Sequence, residues 1–441
     1  MESMEAVVSS ASSWSTESAA SEALDKPKVS TVEAFVNLVT VIIGAGVLAL
    51  PQLPQRSGFV LAALLLVIGG LAVQESSIQL WKALMAANEP LDDEKPRKVT
   101  TYEALAETAL GLWGRIFTAA VVNIFLLGVC SAYAALIGMQ LYNLTGIFDQ
   151  RIWLLIASPI FVMLALLPNL SVLSKFVPLG MLAACLTAVM VVWRALEDAG
   201  TWRSWDQDVH HLWPSSFAPL GSALATCVGA FTLIPMVPPI VRDMSKPQNF
   251  SWALNAALLT CGVLYLGVML CGYYGYGSFI SEDIVESMSR SPSSWEEAMS
   301  QPIADWTGVQ RLWIRVFMSI LILVNITLSM PLLAMAVFYS IESFESNYVV
   351  PGSWSNWMMR ISIITGIVAM AWAVPRFTVV FGFFSSLAAP CVSLILPLVI
   401  AGCVLGKAKC WRRTYHGVLV LLAVSSMFSG MYTSVMDVAS S

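Results

Sequence analysis

The chain consists of long apolar segments separated by short polar ones. A helix that crosses a membrane needs roughly 20 mostly apolar residues. Eleven segments approach or exceed this length, at about 33–53, 59–86, 114–142, 151–168, 172–196, 217–241, 250–276, 309–341, 357–374, 378–405 and 413–435. The pattern therefore predicts an all-α, polytopic membrane protein with eleven transmembrane helices.

Two other segments do not have the pattern of a spanning helix. Residues 1–30 are rich in Ser, Ala and Glu, which is typical of a disordered tail and not of a secretory signal peptide. Residues 101–112 alternate polar and apolar positions at helical spacing, but the stretch is too short and too charged to span. It predicts an amphipathic helix at the membrane interface. The remainder, 31–441, is expected to form one transmembrane domain.

The first and sixth spans are interrupted near their middles. The first contains Gly44-Ala45-Gly46 followed by Pro51, and the sixth contains Gly229-Ala230 followed by Pro235. Glycine disfavours a helix and proline removes a backbone donor, so both spans are predicted to break at membrane depth. Such a break is tolerated only where the backbone is shielded by protein or lines a cavity.

The matching positions of the two breaks predict an internal repeat of five helices. The repeats would cover 31–196 and 217–405, with an additional helix at 413–435, and an odd number of helices inverts the second copy. Paired interrupted spans indicate the binding site of a transporter, because half-helix N-termini attract anionic groups such as carboxylates. The alternative is that these glycines serve only close helix packing.

Composition and charge narrow the function. Only 12% of the residues are charged, about half the usual share in soluble domains, and the net charge of −5 argues against a nucleic-acid partner. The eight Cys residues show no metal-binding spacing. None of the three His residues is expected inside a span, and no catalytic motif appears, so the chain is not expected to be an enzyme or to hold a cofactor.

Lysine and arginine predict the orientation. With the N-terminus in the cytosol, 15 of the 23 basic residues, including Arg360, fall on the cytosolic side, as the positive-inside rule requires.

Four motifs resemble the amino acid/auxin permease family. They are NLVTVIIGAGVLALPQLPQRSG at 37–58, GAFTLIPMVPPIVRDMSKP at 229–247, SMPLLAMAVFYSIE at 329–342 and VPRFTVVFGFFSSLAAPCVSLILP at 374–397. The resemblance implies a LeuT-like fold with an amino acid held between helices 1 and 6. It places substrate-binding groups at Gly44, Ala45, Gly46, Val47, Tyr133, Gly229, Phe231, Thr232 and Ser329. For Tyr133, the alternative is a buried tyrosine that bonds a neighbouring helix.

The coupling ion could be Na⁺ or H⁺. Side-chain oxygens for sodium could come from Asn37, Thr40 and Thr327, although many sodium-coupled relatives carry a second Asn where Thr40 stands. A proton would need a carboxyl group, and Glu75 and Asp243 are the candidates because ionisable groups in spans are usually functional. Both could instead be solvated helix ends. The resemblance favours the proton for vacuolar-type relatives.

The resulting prediction is a secondary active transporter, a symporter that moves neutral amino acids by alternating access. Its expected partners are the amino-acid substrate and the lipid bilayer, and the expected state is a monomer. The expected location is the plasma membrane or a vacuolar or lysosomal membrane. A membrane amino-acid sensor that uses the same pocket is the alternative.

Overall fold

The computed structural model describes residues 29–44, 46–89, 99–166, 177–203, 209–214, 216–217, 219–344, 353–406 and 410–439. Within these ranges the chain forms helices and two isolated β-bridges, with no strand. We number the helices by predicted span: α1a (Thr31–Ile42), α1b (Gly46–Ser57), α2 (Phe59–Ala87), α3 (Tyr102–Thr145), α4 (Gln150–Ala165), α5 (Val177–Arg203), α6a (Leu220–Ala230), α6b (Val237–Asp243), α7 (Phe250–Tyr276), α8 (Leu312–Phe344), α9 (Trp354–Ala373), α10 (Phe377–Leu405) and α11 (Cys410–Ala439).

Each predicted span coincides with one of these helices. In the described part of the chain, nine helical runs are long and apolar enough to cross a membrane. α1a and α1b pass the same test as one bent span, and α4 is a shorter apolar helix of 16 residues.

The predicted amphipathic segment forms the first turns of α3. Gly111 has φ +71°, a conformation that favours glycine, and it separates this arm from the spanning part of the helix. Thr101 begins the arm by accepting a hydrogen bond from the backbone N–H of Ala104. Tyr102 and Leu105 are buried against the bundle, whereas Trp113, just beyond the kink, is 81% exposed.

The last two residues of the predicted tail are part of the fold, whereas 1–28 lie outside the described residues. The backbone N–H of Val29 donates to the carbonyl of Asp243 at 2.9 Å, and Ser245 N–H donates to the carbonyl of Val29 at 2.9 Å. Ser30 then begins α1a, because its hydroxyl accepts from Glu33 N–H and Glu33 accepts from Ser30 N–H. The start of α1a is therefore joined to the end of α6b.

Arg360, which the charge pattern counts on the cytosolic side, lies within the predicted span 357–374. Its side chain is buried in α9, where Nη2 lies 2.9 Å from Glu342 and Nη1 donates to the carbonyl of Ala165 at 3.0 Å. Asn356 donates to the same Glu342 carboxylate at 2.6 Å. An ion pair inside the bundle, rather than contact with solvent, satisfies this charge.

Buried polar groups join the helices at the opposite end of the bundle. Asp283 begins a short helix, Ile284–Ser289, and its carboxylate accepts hydrogen bonds from the side chains of Asn143 and Gln140 on α3. Burial raises the pKa of Asp283 to about 6. Gln140 also accepts from Ser319 on α8 at 2.8 Å.

A second group at this end contains the buried pair Arg194 and Asp198 on α5. Asp198 accepts from Tyr276 on α7 at 3.2 Å and lies 3.1 Å from Arg311, just before α8. Together the two groups connect α3, α5 and α7 with the start of α8 at this end of the bundle.

Candidate functional site

The break in the first span brings the backbone of Gly44 close to Tyr133. α1a ends at Ile42, α1b begins at Gly46, and the two segments are bent by 46°. A Cβ added at Gly44 would lie 2.7 Å from the hydroxyl oxygen of Tyr133. Only glycine therefore fits beneath this tyrosine without a shift of the backbone or the ring.

The break in the sixth span follows from proline. α6a ends at Ala230, residues 231–233 are not helical, and a 3₁₀ turn, Ile234–Met236, precedes α6b. Pro235 lacks the N–H that would bond to the carbonyl of Phe231, so a regular helix cannot continue there. Both predicted interruptions are confirmed.

The two breaks touch each other. A Cβ at Gly46 would lie 3.1 Å from the Cα of Ala230 and 3.4 Å from the ring of Phe381. The hydroxyl of Tyr265 on α7 donates to the carbonyl of Ile42 at 2.6 Å and lies 3.3 Å from that of Ala230. These carbonyls end helical segments and need partners, which the fully buried Tyr265 supplies for both.

A cavity of about 360 Å³ lies against the breaks. At its closed end stand Tyr133 and Phe381, both buried. It extends toward the end of the bundle where α3 begins and α8 ends, and it reaches Tyr339, which is 54% exposed. Its walls near that end include Thr100, Thr101, Glu103, Asn123, Arg242 and Ser340.

Five of the nine predicted substrate residues line this cavity, namely Gly44, Gly46, Tyr133, Gly229 and Thr232. Val47 is buried behind the break and is not among its walls. Ser329 is also absent from the walls, and its hydroxyl lies 3.5 Å from the side-chain oxygen of Asn325 on the same helix. Ala45 lies outside the described residues.

Phe231 points to the other side of its break. Its ring packs against Tyr265, with centroids 5.1 Å apart, and forms the floor of a groove of about 350 Å³ between α2 and α7. Gly70 on α2 leaves room for the ring, since a Cβ there would lie 3.3 Å from it. Its neighbours Thr232 and Leu233 line the cavity instead.

Three further residues belong to the site but do not appear among the predicted ones. Phe381 and Tyr265 are aromatic residues in apolar spans, where such residues are common and carry no particular signal. Asn123 gives a clearer signal, since it is a polar side chain within a span. Its amide donates to Ser340 at 3.1 Å, while its buried side-chain oxygen has no hydrogen-bond partner among the described residues.

The three predicted sodium ligands, Asn37, Thr40 and Thr327, each contact a different set of residues. The Thr40 hydroxyl lies 2.8 Å from the carbonyl of Val36 and 3.1 Å from the sulfur of Met181, and Asn37 is exposed on α1a. Thr327 lines a narrow crevice against Phe161 and other apolar residues of α3, α4 and α9.

The proton candidates lie outside the cavity walls. Glu75 accepts from Gln79 at 2.7 Å and lies 3.2 Å from Nε2 of His416 and 3.8 Å from Arg412, both on α11. His416 is therefore inside a span, contrary to our expectation. Asp243 ends α6b and pairs with Arg242 at 2.7 Å.

Comparison with known proteins gives a consistent picture. A family model described as transmembrane amino acid transporter protein matches residues 27–436. The chain is 24% identical over 417 residues to the human vesicular inhibitory amino acid transporter, which covers 90% of this chain and 74% of the relative. It is 23% identical over 379 residues to amino acid transporter AVT1C of Arabidopsis thaliana, which covers 83% and 62%.

Two solved structures share the fold. The inward-facing conformation of Mhp1 superposes with a TM-score of 0.55 at 12% identity, covering 93% of this chain and 90% of that one. A manganese transporter from Eremococcus coleocola gives 0.54 at 13% identity, covering 91% and 85%. The polytopic, LeuT-like fold that the family resemblance implies is therefore confirmed.

Proposed function

This chain belongs to the family of transmembrane amino acid transporter proteins, the amino acid/auxin permeases, and we propose that it carries neutral amino acids by alternating access. It is a membrane transporter rather than an enzyme. The observation that carries the proposal is the cavity at the two breaks, which is bounded by Tyr133 and, within the described part of the chain, reaches the end of the bundle where α3 begins.

The breaks offer groups that match an α-amino acid. The backbone N–H groups at the start of α1b carry a partial positive charge that suits a carboxylate. The Thr232 hydroxyl, on the opposite break, suits the ammonium group. Around the breaks the described walls carry no charged side chain, which favours a neutral substrate; Glu103 and Arg242 lie toward the open end.

We expect the open end to face the cytosol. Val29 bonds to Asp243, beside Arg242, so the N-terminal end of the fold and the open end of the cavity lie on the same side. With the predicted cytosolic N-terminus, the structure corresponds to an inward-facing state. The similarity to the vesicular inhibitory amino acid transporter favours a vesicular membrane over the plasma membrane.

We further propose that the coupling ion is the proton. The three side chains expected to bind sodium each contact a different set of residues. Glu75, in contrast, is a carboxyl group within a span, and it lies beside His416. Uptake should therefore respond to an imposed pH gradient and persist when sodium is replaced by potassium. Uptake that needs sodium and ignores the pH gradient would favour the sodium alternative.

The test of transport is radiolabelled uptake into proteoliposomes, screened over the twenty amino acids. Gly46→Leu should abolish uptake, because Gly46 touches Ala230 and Phe381. Gly366→Leu on α9 is the matched control, since a Cβ at Gly366 meets open space. A sensor would bind an amino acid without accumulating it. Normal uptake by a correctly inserted Gly46→Leu protein would exclude the assigned site.

A further inference from the structure

We propose that Ser393 on α10 is a positioning residue, whose hydrogen bond to the Thr232 hydroxyl holds that hydroxyl where it can accept a hydrogen bond from the substrate ammonium group. The inference rests on the proposed function and adds to it the residue that orients one of the groups facing the substrate.

The break in α6 determines which atom accepts the proton of the Thr232 hydroxyl. In a continuous helix the carbonyl of Val228 would accept from the N–H of Thr232. Here that N–H bonds instead to the carbonyl of Gly229 at 3.2 Å, so Val228 loses its helical partner. The Thr232 hydroxyl replaces it by donating to the Val228 carbonyl at 2.9 Å.

Ser393 must then be the donor to Thr232. The two hydroxyl oxygens lie 2.9 Å apart, and a hydroxyl has one proton and two acceptor positions. Because the proton of Thr232 is used by Val228, Ser393 donates to it. One acceptor position of Thr232 remains, and Thr232 lines the cavity. A hydroxyl held in this way can receive a hydrogen bond from an ammonium group but cannot donate one.

A π-helical turn places Ser393 at this position. Residues Cys391–Ile395 form the turn, in which the N–H of Leu396 bonds to the carbonyl of Cys391, five residues earlier. Pro397 lacks the N–H that a regular helix would direct at the Ser393 carbonyl, which favours the wider turn. The Val392 carbonyl, on the same turn, accepts from the hydroxyl of Tyr102 at 3.1 Å.

The turn itself is buried. Ser393 and Tyr102 are 0% and 1% exposed, so water does not compete for the bond between Tyr102 and the Val392 carbonyl, whereas Thr232 is partly exposed where it lines the cavity. Tyr102 belongs to the amphipathic arm of α3, which thereby holds the turn. The π turn of α10 and the amphipathic arm of α3 thus fix the position of Ser393 together. The sequence motifs do not indicate that these two elements are in contact.

The experiment compares an amino acid with its counterpart that lacks the ammonium group. The probes are the neutral amino acid with the largest uptake and its des-amino acid, for example alanine and propionate. KM and maximal rate of uptake, the inhibition constant of the des-amino acid, and the thermal shift of the purified protein by each probe are measured. The variants are Ser393→Ala, Ser393→Thr and Ser386→Ala. Ser386 is an equally buried α10 serine whose hydroxyl bonds within its own helix.

Ser393→Ala should raise the KM for the amino acid about fivefold, the equivalent of one net hydrogen bond, without changing the inhibition constant of the des-amino acid. Ser393→Thr and Ser386→Ala should behave like the wild type. An unchanged KM in Ser393→Ala, or an equal rise in both constants, overturns the proposal. If Ser393→Ala does not fold, Tyr102→Phe, which releases the turn and keeps both hydroxyls, should raise the KM in the same direction, and an unchanged KM there overturns it.

The outcome separates this inference from the transport proposal. A wild-type protein that binds the amino acid without accumulating it refutes transport, while the thermal shifts of the variants still test Ser393. A wild-type protein that neither binds nor accumulates any amino acid overturns both.

Discussion

The hydroxyl of Tyr265 lies 2.6 Å from the carbonyl oxygen of Ile42, at the residue where the first helix stops. The same hydroxyl is 3.3 Å from the carbonyl of Ala230, where α6a stops. One proton thus serves two helix ends, and it bonds mainly to the nearer one. Tyr265 couples the positions of the two breaks.

Removing this hydroxyl should impair transport. Tyr265→Phe removes the side-chain donor to the Ile42 carbonyl, which keeps the bond from Gly44 N–H at 2.8 Å, so the cost in the free energy of unfolding should be about 0.5–1.5 kcal/mol. Thermal unfolding and uptake would measure the two effects, and we expect uptake to fall. Tyr273→Phe is the control, because Tyr273 is equally buried on α7 but accepts from His211 N–H, away from the breaks. Wild-type uptake by Tyr265→Phe would contradict the coupling.

The contact of Gly44 with Tyr133 predicts a rescue. Gly44→Ala should strongly lower uptake, since its Cβ would lie 2.7 Å from the Tyr133 hydroxyl oxygen, whereas the next ring atom is 4.0 Å away. Adding Tyr133→Phe removes the clashing atom and should restore part of the uptake. A coupling of about 0.5–3 kcal/mol is typical of residues in contact. Strictly additive losses in the double variant would show that the clash is not the cause.

The buried carboxyl of Asp283 predicts a pH dependence of stability. Its pKa, about 6, is higher than the usual 3.9 or so of an unfolded chain, so the folded protein binds this proton more tightly. This contribution to stability is complete below about pH 4 and is lost as the pH rises through about 6.

Asp283→Asn should therefore melt near the wild-type temperature at pH 4 and above it at pH 7. The difference should not exceed about 3 kcal/mol, which two pKa units represent. Asp149→Asn, an exposed N-cap at the same end of the bundle, should keep the wild-type profile. If the melting temperatures of Asp283→Asn and the wild type change with pH in parallel, this would argue against a buried charge at Asp283.

The ion pair of Arg360 and Glu342 predicts that removing one charge destabilises the protein more than removing both. Arg360→Met leaves the Glu342 carboxylate buried without its cation, which should cost about 3–5 kcal/mol. The double variant Arg360→Met/Glu342→Leu removes both charges and should recover most of this loss. Thermal stability in detergent measures both. A double variant as unstable as the single one would mean that the hydrogen bonds to Ala165 and Asn356, and not the isolated charge, dominate.

The sequence predicts the helices and both breaks because their causes are local. The length and hydropathy of a segment determine whether it can span. Gly44, Gly46 and Pro235 interrupt their helices whatever the neighbouring helices are. The arm before α3 is predicted for the same reason, since its polar spacing differs from that of a spanning helix. Gly111 ends the arm through its own backbone conformation, which is also a local cause.

The contacts between helices could not be predicted in the same way. Phe231 and Thr232 are adjacent, and only the packing of α2 and α7 decides that the phenyl ring points away from the cavity. Ser393 reaches Thr232 because a π turn shifts the helical register, which apolar spacing does not reveal. Arg360 falls within a predicted span, but its partner Glu342 lies on another helix, and the sequence does not show which helices are neighbours.

Among the residues that the structure describes, the cavity reaches one end of the bundle and not the other, and this has a consequence for inhibition. A blocker shaped to fill it could enter this conformation from one aqueous compartment alone. If the N-terminus faces the cytosol, such a compound must first cross the bilayer, so membrane permeability would limit its potency as much as its fit to Tyr133 and Phe381. Applied to the opposite compartment, an impermeant version would leave this state untouched.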